Sequence, residues 1–173
     1  NNYQTRSSTF YGYGFGYSAP PAEPTLAGTG SGVVVSTYGH VLTNNHVIQN
    51  AARVTVTSEG KEYTAAVMAT DPELDIAVLQ VPDLNLPAVP LGDSDKLQIG
   101  EWAIVIGNPL GEEFERTVTL GVVSALDREV KDSAVDRYGR RYAKTNQMIQ
   151  VDAAISSGNS GGGMFNVLGQ LQG

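Results

Sequence analysis

Cysteine is absent from the 173 residues. That removes disulfides, thiol nucleophiles and thiolate metal sites together, and leaves the fold to rest on burial alone. There are two histidines, His40 and His46, and no paired acidic ligands at regular spacing, so neither a metal nor a cofactor is expected. Basic residues are few, 11 against 18 acidic ones for a formal charge of −7, and nucleic acid is not an expected partner. The one local basic group, Arg137, Arg140, Arg141 and Lys144, sits among Asp, Gly and Tyr and reads as a solvated loop. No apolar run approaches the roughly 18 residues of a membrane-spanning helix, and the first residues are polar and aromatic rather than a basic start with an apolar core. If a precursor is exported, its signal does not lie within these residues.

The remaining composition, 41% apolar and 17% charged, is that of an ordinary globular protein, and the length suits one domain or two small barrels packed together. Residues 1–31 mix Tyr, Phe, Gly, Ser and Pro without a period of 2 or 3.6 and read as a flexible arm or loop, with Tyr11–Tyr17 either a docking strip for another subunit or mobile loop. From Gly32 onward short β-branched runs alternate with turn signals: Gly32–Ser36, His40–Thr43, Arg53–Ser58, Lys61–Thr70, Ile76–Val81, Trp102–Gly107, Thr117–Leu126 and Met148–Val151. This spacing predicts an all-β fold. Tyr38-Gly39 and Glu59-Gly60 are the natural hairpin turns, and one helical turn is expected over Asn45–Gln49. The proline-interrupted stretch from Pro82 to Pro90 cannot donate a continuous ladder, so lobes are expected over 32–85 and 86–173.

Three residues carry the chemistry. Ser160 lies in Gly158-Asn159-Ser160-Gly161-Gly162, where glycines can turn successive N–H groups one way and build an anion hole beside an exposed hydroxyl. His46, in Thr43-Asn44-Asn45-His46-Val47, follows a strand in a polar frame and is the group suited to taking a proton from serine near neutral pH. His40 has no such frame and reads as structural. Asp75 opens the apolar run Ile76-Ala77-Val78-Leu79, so its carboxylate needs a partner, whereas Asp71, before Pro72, reads as a turn former. The order His46, Asp75, Ser160 is that of chymotrypsin-type enzymes.

These frames, with Gly30-Ser31-Gly32-Val33, Leu91-Gly92-Asp93-Ser94, Ile106-Gly107-Asn108-Pro109, Gly121-Val122-Val123-Ser124-Ala125 and Gln150-Val151-Asp152-Ala153-Ala154-Ile155, resemble the protease domain of the HtrA/Deg family of trypsin-like serine proteases. The resemblance runs from about Gly30 to Gly169. It implies two perpendicular six-stranded Greek-key barrels, expected to be incomplete here at both ends, and the PDZ domain usual downstream in that family is not expected within these residues. It also implies a Ser160–His46–Asp75 triad, an oxyanion hole from the N–H groups of Gly158 and Ser160, and a small apolar pocket lined by Ala154 and Ile155. The substrate it implies is unfolded polypeptide, cleaved after small aliphatic residues. Homotrimerisation through the aromatic N-terminal segment and a bacterial periplasmic or envelope location come from the same resemblance. Two rival readings are a chaperone-like holder of unfolded chains that does not turn over, against which the three residues argue, and a structural barrel in which those residues meet by accident, against which the coincidence of their frames argues.

Overall fold

Short runs rich in Val, Ile and Thr, cut by glycine turns, favour pleated strands over helices. In the computed structural model, which describes residues 2–4, 25–108, 117–135, 140–156 and 158–173, eleven strands stand against one four-residue helix and one 3₁₀ turn at Ser94–Lys96. The all-β expectation holds.

The first sheet contains β1 (Asn2–Gln4), β2 (Thr25–Gly28), β3 (Val33–Val34), β4 (His40–Asn44), β5 (Arg53–Ser58), β6 (Lys61–Asp71) and β7 (Ile76–Gln80), in the order β2-β1-β5-β6-β7-β4-β3. Every neighbouring pair is antiparallel. Helix α1 (Asn45–Ile48) follows β4 without a break. Inward-facing residues alternate along the strands, Val41 and Thr43 on β4 and Ala77 and Leu79 on β7. With Ile48, Val54, Ala65, Val81 and Leu84 the apolar members of this set close the first core.

Both anticipated turns take the backbone that their residues suggest. Glu59 and Gly60 join β5 to β6 with φ of +52° and +73°, the two left-handed residues that a type I′ hairpin turn requires. Gly39 has φ +80°, and a Cβ there would strike the Val81 carbonyl, so the position admits only glycine.

The second sheet runs β10-β9-β8-β11, from β8 (Trp102–Gly107), β9 (Thr117–Val135), β10 (Arg141–Val151) and β11 (Gly163–Phe165). Its core is smaller: Leu97, Ala103 and Val123, flanked by Leu126, Ile149, Val151 and Met164. Among the described residues the two sheets thus hold seven and four strands, where the resemblance implied six and six with incomplete ends. Between them, residues 81–101 carry no strand of either sheet.

Three expectations change. Residues 1–31 are not wholly irregular, since Asn2–Gln4 pairs with both Thr25–Gly28 and β5; these strands are too short for a period to register in sequence. The aromatic run Tyr11–Tyr17 lies outside the described residues. Strands β9 and β10 continue well past Leu126 and begin well before Met148 as a two-stranded ribbon. Arg141 and Lys144 are therefore strand residues rather than loop, and Arg137 lies outside the described residues. Such a ribbon has no core on either side to demand apolar alternation, so its ladder bonds hold a polar sequence that reads as loop.

Candidate active site

Antiparallel pairing builds the site. Asn44 at the end of β4 faces Ile76 at the start of β7, so the residue before β7 and the residue two beyond β4 must be neighbours. Those residues are Asp75 and His46. The β6–β7 hairpin turns through Pro72–Asp75, with Asp71 paired to Ile76. Asp71 Oδ1 accepts the N–H groups of Glu73 and Leu74, each at 2.9 Å, the local side-chain turn expected of Asp at that place. Asp75 closes the turn at φ +57°, a left-handed conformation that Asp tolerates better than most residues.

His46 Nδ1 lies 2.6 Å from Asp75 Oδ2, and the His46 backbone N–H donates to Asp75 Oδ1 at 2.8 Å. An ionised carboxylate can only accept, so it fixes a proton on Nδ1, and the neutral ring then has its lone pair at Nε2. The imidazole is 53% and the carboxylate 31% exposed, which leaves the ring open to solvent and to a substrate. The Asp75 carbonyl accepts from the Asn45 N–H at 3.0 Å and from Asn44 Nδ2 at 2.9 Å.

Ser160 stands three residues before β11, in a turn pinned to the first sheet. Its carbonyl accepts the Ser31 N–H at 2.8 Å, Ser31 Oγ donates to the Gly158 carbonyl at 2.7 Å, and the Asn108 N–H donates to that same Oγ at 2.6 Å. Buried Thr43 on β4 donates through Oγ1 to the Ser31 carbonyl at 2.7 Å. One residue on, the Gly161 N–H donates to Asn44 Oδ1 at 2.6 Å. The Ser160 turn is thus bonded to the strand that leads into His46. Among the described residues no hydrogen bond joins the Ser160 hydroxyl to the His46 ring, a contact that commonly tightens only when substrate is bound. The N–H groups of Gly158, at φ +99°, and of Ser160 are not taken up by any other described residue.

Gly161 cannot be replaced without cost. At φ +83° an added Cβ would run into the Ser31 carbonyl and the Thr43 hydroxyl, both named above as links in the scaffold. Gly161→Ala is expected to reduce turnover at least 100-fold, on the order of what a displacement of about 1 Å costs, and to lower the unfolding midpoint by several degrees; turnover and thermal unfolding measured together check it.

Ser31, Thr43 and Asn44 were quoted in the sequence as parts of family frames, yet nothing there assigned them these bonds. The visible signal was polar residues at the ends of otherwise apolar strands. Ala154 and Ile155 are exposed, Ile155 at 67%, with the Ala154 carbonyl accepting from Thr119 Oγ1 at 2.8 Å. His40 is structural as anticipated: its Nδ1 pairs with Ser36 Oγ at 2.6 Å across the Tyr38-Gly39 turn.

Residues 30–173 match a family described as the trypsin-like peptidase domain. The chain belongs to that family. This trypsin-like peptidase domain is 46% identical to a protein of Synechocystis sp. named serine protease HhoB, over 92% of the chain and 37% of that protein. It is 43% identical to a Marinomonas sp. protein named as a DegP-like periplasmic serine endoprotease, over 92% of the chain and 32% of that protein. Among solved structures it resembles the HtrA-type protease AlgW with a decapeptide, at TM-score 0.72 and 36% identity, covering 98% of this chain and 51% of that one. The domain spans about a third of the length of these curated relatives. The HtrA/Deg resemblance read from the motifs therefore stands, as does the chymotrypsin-like fold class.

The ribbon of β9 and β10 adds a contact that no motif announced. Lys144 Nζ donates to the carbonyls of Pro72 at 3.4 Å and Glu73 at 3.2 Å, and Asn146 Nδ2 donates to the Glu73 carbonyl at 3.1 Å. The second sheet thereby props the turn that holds Asp75. In the double variant Lys144→Ala, Asn146→Ala the amide hydrogens of residues 73–75 are expected to exchange at least several-fold faster, because two supports of a marginal loop are gone; hydrogen exchange followed by mass spectrometry reads this directly.

Proposed function

We propose that this chain is the catalytic domain of a serine endopeptidase that hydrolyses peptide bonds in unfolded or misfolded protein through Ser160, His46 and Asp75. The observation that carries the reading is the 2.6 Å contact between His46 Nδ1 and Asp75 Oδ2, made on the same strand end to which the Ser160 turn is bonded through Gly161. A Ser, a His and an Asp that meet in a structural barrel by accident have no reason to share one scaffold.

In the proposed reaction Ser160 Oγ attacks the scissile carbonyl carbon while His46 Nε2 takes the hydroxyl proton. The tetrahedral intermediate's oxyanion receives hydrogen bonds from the N–H groups of Gly158 and Ser160, which have no described protein acceptor to give up. His46 then returns the proton to the departing amine, leaving an acyl-enzyme on Ser160. A water molecule, giving a proton to the same Nε2, attacks the acyl carbon; the acyl–Oγ bond breaks, the proton passes from Nε2 back to Ser160 Oγ, and the acid leaves. Asp75 stays ionised throughout, fixing the tautomer and stabilising the imidazolium.

Ala154 and Ile155, six and five residues before the nucleophile, are proposed to line a small apolar pocket, which would favour cleavage after small aliphatic residues. A periplasmic or envelope location and a homotrimer assembled through the Tyr11–Tyr17 segment are part of the same proposal, supported by the name of the Marinomonas relative and by the family resemblance respectively. Degradation of casein by the intact protein tests the enzymatic reading: cleavage that disappears in Ser160→Ala supports it, whereas binding of casein without cleavage by the parent protein would replace it with the non-hydrolytic holder.

A further inference from the structure

We propose that Asn44 is a positioning residue of this site, its one carboxamide holding the Asp75 turn of the first sheet and the Ser160 turn of the second at a fixed separation. The proposal rests on the reading of Ser160, His46 and Asp75 given above and concerns how they are kept in register.

Asn44 closes β4 and occupies the N-cap position of α1, where Asn ordinarily turns its side chain onto the first helical N–H groups. Here it makes no such cap bond. Instead Nδ2 donates to the Asp75 carbonyl at 2.9 Å and Oδ1 accepts the Gly161 N–H at 2.6 Å. Only one orientation of the amide satisfies both partners, since a carbonyl cannot receive from an oxygen and an N–H cannot donate to an NH₂ group. The side chain has left its local task for a bridge between residues 75 and 161.

Both ends of the bridge need holding. Asp75 sits at φ +57°, a conformation that a residue with a Cβ keeps where its surroundings over-determine it, while Gly161 at φ +83° is unstrained but conformationally free, so a bond is needed to fix where its N–H points. Asp75 and His46 travel with β7 and β4, whereas Ser160 travels with β11 of the other sheet. The Ser31 contacts tie the Ser160 turn to Thr43 on β4, and Lys144 and Asn146 of the second sheet's ribbon reach residues 72 and 73, but among the described residues Asn44 is the side chain bonded to both the Asp75 turn and the Ser160 turn. Without it the Gly161 N–H loses its described acceptor and the Asp75 carbonyl keeps one donor of two, so the hydroxyl and the imidazole drift apart, while the pocket proposed at Ala154 and Ile155 is held separately through Thr119.

The effect should therefore fall on the covalent step. A misplacement of about 1 Å costs on the order of 100-fold in rate. In the intact protein, labelling of the serine by a fluorophosphonate is expected to show a maximal rate about 10- to 100-fold lower in Asn44→Ala, with the half-saturating probe concentration little changed. The downfield proton resonance of the His46 Nδ1–H is expected to shift or broaden in the same variant, with far-UV circular dichroism unaltered; a residue important only for folding would not move that signal in a folded protein. Asn44→Asp keeps the shape and the acceptor for Gly161 but sets an oxygen against the Asp75 carbonyl, and it is expected to label slowly too. If Asn44→Ala does not fold, Asn44→Asp carries the test. A folded variant that labels at the parental rate with the parental resonance overturns the proposal. Ser160→Ala run alongside separates the two levels: parental labelling there overturns the triad reading and this inference with it, whereas loss of labelling there with normal labelling in the folded Asn44 variants overturns the bridge alone.

Discussion

Ser160→Ala is expected to lower proteolysis about 10⁶-fold, the loss found when the nucleophile of a serine protease is removed, while leaving the unfolding midpoint within a degree or two of the parent. The two halves of that expectation have separate causes. The proposed chemistry needs the Ser160 hydroxyl as nucleophile, and alanine removes only that group. The turn depends on the backbone: the Ser160 carbonyl accepts from Ser31, and the neighbouring Gly158 carbonyl and Gly161 N–H make the other ties. None of these uses the serine side chain, so alanine at this position keeps all of them. Casein cleavage and thermal unfolding measured on the same preparations check both halves.

Asp75→Asn is expected to cost about 10⁴-fold in turnover, again with the fold kept. The substitution is isosteric, and its remaining carbonyl oxygen can still accept the His46 backbone N–H that Asp75 Oδ1 now takes at 2.8 Å. What changes is the partner facing the ring. An amide NH₂ placed 2.6 Å from Nδ1, where Oδ2 now lies, donates rather than accepts, so Nδ1 must become the acceptor and the ring proton moves to Nε2. An Nε2 that already bears a proton cannot take one from Ser160. Turnover of a peptide substrate, with a crystal structure of the variant to establish unchanged geometry, checks this; a loss below about 10-fold would mean that Asp75 does not set the tautomer.

Much of the fold could be read from residue pattern because the two signals that specify it are local. Strands β5 and β8 fall where β-branched and apolar runs are bounded by turn residues, over Arg53–Ser58 and Trp102–Gly107. The Glu59-Gly60 turn is legible for the same reason, since glycine after a polar residue between two such runs suits only a few backbone shapes. The ribbon of β9 and β10 was not legible beyond Leu126, because strands without a core beside them carry no alternation to detect. Strand β11 is only three residues long, too short for any period, and it forms because Gly163–Phe165 meets the exposed edge of β8.

The candidate site divides along similar lines. His46 and Asp75 were recognisable by residue type and frame, and the β4–β7 register is what joins them. Their supports were not recognisable. The side chains of Ser31, Asn44, Lys144 and Asn146 act through distances of 31 to 127 residues along the chain, and nothing local in the sequence distinguishes a polar side chain that will bridge two sheets from one that will face water.

The central claim is that this chain carries an activated serine at position 160, and covalent labelling tests it most directly. The intact protein, treated with a fluorophosphonate and digested for mass spectrometry, is predicted to carry a single adduct on Ser160 that is absent from Ser160→Ala and strongly reduced in Asp75→Asn. Labelling at another serine, or none at Ser160 in a protein that degrades casein, would contradict the account.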